Sequence, residues 1–216
     1  MSRLTAILAG ATGLVGGECL KGLLASRRYE RVIVVTRREL DHPARSGKLE
    51  QVVVDFGQLG KVRDRLRGDH VFCALGTTIR KAGSQARFRE VDYEYPIRLA
   101  RFTLGNGAQH FSVVSALGAS RSSPFFYSRV KGELEQGLRR MGWPSLAIVR
   151  PSLIAGERTE ARPLERASVQ LMRFAPATWR PVAASDIAGA MIATALRAPP
   201  GVTVIESRDI PGAAAG

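Results

Sequence analysis

Residues 4–26 read "LTAILAGATGLVGGECLKGLLAS", a strand, a turn and a helix in immediate succession. Leu4–Ala9 is an apolar run without two-residue alternation, the pattern of a strand buried on both faces. Leu14–Ser26 carries the spacing of a helix. Gly10, Gly13 and Gly16 join the two at three-residue intervals. A tight turn here needs backbone angles that a Cβ disfavours. Bare backbone also lets a phosphate reach the helix N-terminus, where unpaired N–H groups and a partial positive charge meet it. A glycine-rich turn often does no more than close a strand–helix unit. Between a strand and a helix, however, it is the pattern that holds a dinucleotide pyrophosphate.

The rest of the chain repeats the alternation. Strands are expected at Arg31–Thr36, Gln51–Val54, His70–Leu75, Ala108–Val114, Ser145–Arg150 and Val202–Ser207. Helices are expected over 57–67, 84–105 with a restart at Pro96, 125–141, 163–174 and Asp186–Arg197. Alternating strands and helices imply right-handed crossovers and an α/β fold, a doubly wound parallel sheet with helices on both faces. The 216 residues suit one domain, 1–216. Residues 156–182 are expected to form a small C-terminal substrate lid. Pro211–Gly216 reads as a frayed tail, and Asp186 as the cap of the last long helix.

Composition narrows the function classes. Apolar residues make up 45% and charged residues 24%, ordinary for a chain with a buried core. No window approaches the about 18 apolar residues of a membrane span, and Leu4–Ala9 is too short for a signal peptide. The expectation is a cytoplasmic protein with no membrane partner. Cys19 and Cys73 fall in expected buried elements and read as packing. The net charge of +13 invites a nucleic-acid reading. Yet 27 of the 32 basic residues are arginines, spread along the chain without a nucleic-acid-binding motif, so no nucleic-acid partner is expected. His42, His70 and His110 share no spacing with a carboxylate or cysteine, so neither a metal nor a histidine-based triad is assigned.

Strand ends then specify the ligand. An NAD site usually has a carboxylate after the second strand. Here the strand ends in Thr36-Arg37-Arg38, and guanidinium groups suit a 2′-phosphate. NADP(H) is therefore favoured over NAD. Asp55 and Phe56 follow the third strand, within reach of an adenine. Ala74, Leu75, Gly76 and Thr77 end the fourth, in the crevice where strand order reverses.

"YSRVKGELE" places Tyr127 and Lys131 four residues apart, on one helical face. A nearby ammonium makes a phenol more acidic. Such a phenol can exchange a proton with a carbonyl or hydroxyl while hydride moves to or from a nicotinamide. Ser115 ends the strand upstream and could orient the substrate oxygen.

Together "GATGLVGG", "CALGTT", "VVSALGAS", "YSRVKGELE", "IVRPSLIAGER" and "VAASDIA" resemble the short-chain dehydrogenase/reductase superfamily. "TRREL", "VVDF", "LGTTIRKAG", "FREVDYEY" and "SRSSPFFYSRVKGELE" resemble its atypical branch of Tat-interacting-protein-type, NmrA-like oxidoreductases. The resemblance implies a Rossmann fold binding NADPH. It implies a pyrophosphate loop of Gly10, Thr12, Gly13, Leu14 and Val15, with Arg37 and Arg38 on the 2′-phosphate and Asp55 and Phe56 at adenine. Leu75, Gly76 and Thr77 would lie along the ribose and nicotinamide side, with Arg150, Pro151, Ser152 and Leu153 near the nicotinamide. Ser115, Tyr127 and Lys131 would be catalytic, the last two also touching the cofactor. One departure is Asp92, at the position where many members carry an asparagine that holds a relay water.

The expected activity is that of an NADP(H)-dependent oxidoreductase acting on a carbonyl or secondary alcohol of a small molecule. The alternative is an NADPH-binding redox sensor with little turnover and a protein partner. Sugar-nucleotide epimerisation is disfavoured by the two arginines and by the short segment after Arg150. Helices 84–105 and 125–141 are faces that superfamily dimers use, so a monomer or a homodimer is expected. In the lid, Phe174 and Trp179 read as packing, while Glu157 and Arg158 are candidates for touching substrate.

Overall fold

The computed structural model describes residues 3–41, 47–155 and 180–215. Its centre is a seven-stranded parallel sheet in the order β3-β2-β1-β4-β5-β6-β9. The strands are β1 Leu4–Ala9, β2 Tyr29–Thr36, β3 Leu49–Val53, β4 His70–Cys73, β5 His110–Val114, β6 Ser145–Arg150 and β9 Gly201–Glu206. The chain winds outward from β1 to β3, then crosses back to β4 on the other side of β1. The reversal opens a crevice at the carboxyl ends of β1 and β4. Register lines these ends up: Ala9 pairs with Cys73, Cys73 with Val113, and Val114 with Val149.

Both faces of the sheet are buried, which explains the unbroken apolar runs. Ala6, Leu8, Val32, Val34 and Phe72 face α1 (Leu14–Ala25) and α6 (Ala184–Arg197). Ile7, Ala9, Ile33, Val35, Val71 and Cys73 face α4 (Tyr95–Gly105) and α5 (Phe126–Arg139). Cys19 and Cys73 are both buried, and burial pushes each thiol up to about 12, so both remain neutral packing groups.

The expected helix 84–105 holds, as α3 Gln85–Arg89, a widened π turn Glu90–Glu94 and α4, which starts at Tyr95 with Pro96 in its first turn; a separate short helix, α2 Ile79–Ala82, precedes it. Two local readings are corrected. The tail is not frayed. Ile210–Ala215 forms α7, Ile210 is fully buried, and Ala214 lies against Gly189 of α6. Asp186 does not cap α6: Ala183 holds the cap position, and Asp186 sits in the first turn, facing the helix dipole.

At the opposite end of the sheet lies a buried polar chain. Tyr29 OH meets His70 Nδ1 at 2.9 Å, and the His70 and His110 rings pack edge-on. His110 Nδ1 meets Ser145 Oγ at 2.8 Å and its Nε2 meets Ser112 Oγ at 2.7 Å. Burial lowers the proton affinity of both rings, bringing His110 to about 3. Among the described residues no helix is long and apolar enough to cross a membrane.

Candidate functional site: a dinucleotide crevice with a buried charge network

The crevice begins where β1 meets α1. Gly10 has φ +92°, and a Cβ there would stand 2.5 Å from Ala74 O at the end of β4. A Cβ on Gly16 would stand 1.9 Å from Gly10 O. The glycines thus let α1, the loop and β4 touch backbone to backbone. Gly13 caps α1 without a side-chain bond, and no carboxylate occupies the first turn. Thr12 and Gly13 are exposed. Uncapped helix donors beside bare backbone fit a pyrophosphate. Leu14 and Val15 belong to the core packing around α1, so contacts from these two would come from the backbone.

Arg37 and Arg38 stand exposed beyond β2, and neither forms an ion pair among the described residues. Thr36 Oγ1 donates to Arg38 O at 2.8 Å and shapes their turn. After β3, Asp55 caps a 3₁₀ stretch (Phe56–Arg65), with Oδ1 accepting from Gly57 N at 2.7 Å. Phe56 departs from the ring-flanking expectation: its side chain is buried and stacked on Tyr95 in the core, with centroids 5.6 Å apart. Leu75 also packs on that core. Gly76 is exposed, and Thr77 N donates to Asp92 Oδ2 at 2.8 Å.

Helix α5 carries the expected tyrosine–lysine pair. Tyr127, Lys131 and Glu135 follow one another at four-residue spacing, on one stripe of the helix. Tyr127 is 39% exposed and packs on Phe88. Lys131 is buried, with Nζ 2.8 Å from Asp92 Oδ1 and donating to Val114 O at 3.4 Å. Burial works against its charge, but Asp92 and Tyr127 outweigh burial and hold the ammonium above its ordinary value.

Ser115 also sits at the crevice edge, but its hydroxyl points inward and donates to Glu135 Oε1 at 2.6 Å. Arg150 grips the same carboxylate, Nε to Oε1 at 2.9 Å and Nη2 to Oε2 at 2.5 Å, and reaches Glu206 Oε1 at 2.9 Å. Glu135 above all, with help from Glu206 and against burial, raises the proton affinity of the guanidinium. Reading the sequence assigned no role to Glu135. The available signal was its four-residue step from Lys131 on the buried stripe of α5.

Beyond β6, Pro151 O accepts from Leu117 N at 2.8 Å, which ties the exits of β5 and β6 together. Leu153 is exposed. Two short strands, β7 Ile154–Ala155 and β8 Val182–Ala183, pair in parallel. Of the expected lid over 156–182, residues 156–179, with Glu157, Arg158, Phe174 and Trp179, lie outside the described residues.

A family described as NAD(P)H-binding matches residues 10–170. The protein HTATIP2 of Rattus norvegicus is 33% identical over 181 residues, covering 83% of this chain and 74% of that one. A protein named "FMP52, mitochondrial", of Candida albicans, is 32% identical over 193 residues, 85% of this chain and 84% of its own length. Among solved structures, MoeE5 in complex with UDP-glucose and NAD superposes with a TM-score of 0.74 at 18% identity, covering 93% of this chain and 75% of that one. A UDP-N-acetylglucosamine 4-epimerase from Methanobrevibacter ruminantium superposes at 0.72 with 16% identity, covering 95% of this chain and 77% of that one. At such identities these structures establish the fold alone. With the Rossmann crevice, the family match and relatives spanning most of its length, this chain belongs to the NAD(P)H-binding family and is a relative of HTATIP2 and FMP52.

Proposed function

We propose that this protein is an NADP(H)-dependent oxidoreductase that interconverts a carbonyl and a secondary alcohol on a small molecule. One observation carries the reading: a buried ammonium, Lys131, shares a face of α5 with the half-exposed phenol of Tyr127, at the mouth of a crevice lined by uncapped helix donors. In this reading the backbone of Gly10, Thr12, Gly13, Leu14 and Val15 holds the pyrophosphate. Arg37 and Arg38 hold the 2′-phosphate, and Asp55 with the Phe56 backbone meets the adenine. Leu75, Gly76, Thr77, Pro151 and Leu153 border the ribose and nicotinamide. The bound nicotinamide supplies or accepts the hydride. Tyr127 gives or takes the proton at the substrate oxygen, and Lys131 orients the ribose and steadies the phenol. Ser115 has one proton, and Glu135 takes it. Towards a substrate the serine can only accept, which leaves Tyr127 as the donor to a carbonyl oxygen.

The test is Tyr127→Phe, with NADPH oxidation followed against a panel of aldehydes and ketones. A loss of roughly 100-fold or more is expected; undiminished turnover overturns the assignment.

The diverted serine also favours a second reading, an NADPH sensor that binds the dinucleotide with little turnover. Tight NADPH binding without oxidation by any carbonyl in the panel selects it.

A further inference from the structure

We propose that Asp92 is a positioning residue that neutralises Lys131 in front of Tyr127, leaving the phenol as a proton donor and biasing the site towards carbonyl reduction. This rests on the roles given to Tyr127 and Lys131 above.

Asp92 and Lys131 are 1% and 3% exposed, and their charges stand 2.8 Å apart, an ion pair whatever the angle at the carboxylate. Thr77 N fixes the other oxygen at 2.8 Å, so the carboxylate is tied to the loop after β4, and among the described residues Oδ1 has no hydrogen-bond partner besides. The turn that carries Asp92 is the one π turn among the described residues, a widening often found at functional positions. Three titratable groups face Lys131: Asp92 from the π turn, Tyr127 from its own helix and Cys73 from β4. The Cys73 thiol is neutral, so Asp92 is the countercharge.

An asparagine at position 92 would leave the ammonium a carbonyl oxygen there and Val114 O beside it, but no countercharge. A lone ammonium draws a phenol towards phenolate, the form that removes a proton from an alcohol. A neutralised one exerts much less pull. In reduction, the carbonyl carbon takes the hydride from NADPH and its oxygen takes the phenol proton, leaving NADP⁺. Water then reprotonates Tyr127, whose side chain reaches solvent.

The experiment is a tyrosinate absorbance titration of the full chain without cofactor or substrate, with Tyr127→Phe subtracted to isolate Tyr127. In Asp92→Asn this component should ionise about one pH unit lower, a tenfold shift in equilibrium. Asp92→Asn combined with Lys131→Met should return it to the wild-type position. Coincident titrations of all three, or an upward move in the single variant, overturn the proposal. Circular dichroism checks folding, and Asp92→Ser, which also removes the countercharge, replaces an asparagine variant that fails to fold. Because the titration contains no cofactor, it reads Asp92 whether or not the chain turns anything over. Failure of the oxidoreductase reading shows separately, as absent NADPH oxidation across the carbonyl panel.

Discussion

The Ser115 hydroxyl donates to Glu135 across 2.6 Å, joining the end of β5 to the middle of α5 with both side chains buried. Glu135 in turn holds Arg150 at the end of β6. One carboxylate therefore braces three elements that border the crevice. Glu135→Ala leaves Ser115 without its partner and Arg150 with Glu206 alone, and should cost about 3 kcal/mol. Glu135→Gln keeps shape and one acceptor, and should cost roughly half as much. Urea denaturation measures both; an alanine variant within about 1 kcal/mol of wild type contradicts the brace.

Glycine substitutions separate packing from ligand binding. Gly16→Ala drives a Cβ into Gly10 O, a backbone atom that cannot swing aside, and should cost about 2 kcal/mol or more. NADPH affinity should fall at least roughly tenfold with it, because α1 and the loop must separate. Gly13→Ala meets its nearest atom at 3.4 Å and should change stability far less. Equal losses in the two variants would remove the close approach of α1 as the explanation.

The 2′-phosphate assignment predicts a selective effect. Arg37→Asp with Arg38→Ala should weaken NADPH binding by roughly ten- to a hundredfold and barely alter NADH binding. Fluorescence titration with the two cofactors measures this. Equal affinities in the starting protein, unchanged in the double variant, would contradict NADP preference.

The buried histidines make stability depend on pH. In the fold, burial keeps His110 neutral down to about 3 and also lowers His70. Once unfolded, each takes a proton near pH 6.5. The unfolded chain thus binds more protons below that value, and stability falls with acidity between about 6.5 and 3. The slope is roughly 1.4 kcal/mol per pH unit for each neutral histidine. Urea midpoints at pH 7.5 and pH 5 should differ accordingly, and His110→Gln should flatten the dependence. A His110→Gln variant as acid-sensitive as the parent would place the effect elsewhere.

Much of the fold was legible in the chain because its causes are local. Val32–Val35 and Val71–Cys73 lack polar alternation, since helices cover both faces of the sheet. The Gly10–Gly16 spacing marks the first crossover, and Tyr127 with Lys131 follows from helical periodicity. The neighbours that only folding brings together were not legible. Phe56 looked able to flank a ligand, but Tyr95, 39 positions later, draws its ring inward. Pro211–Gly216 looked like a frayed tail, yet α6 offers the helix Ile210–Ala215 an apolar surface to dock on.

The sequence by itself determined the parallel sheet, the glycine turn between β1 and α1 and the Tyr127–Lys131 stripe, because hydrophobic period, glycine and helical pitch act over a few residues. The tertiary structure alone decided that Ser115 turns to Glu135 and that Asp92 meets Lys131, across 20 and 39 positions of chain. Burying a charge is costly unless a partner stands within a few ångströms. Only the packing of α5 between β5, β6 and the π turn determines which partner each charge finds.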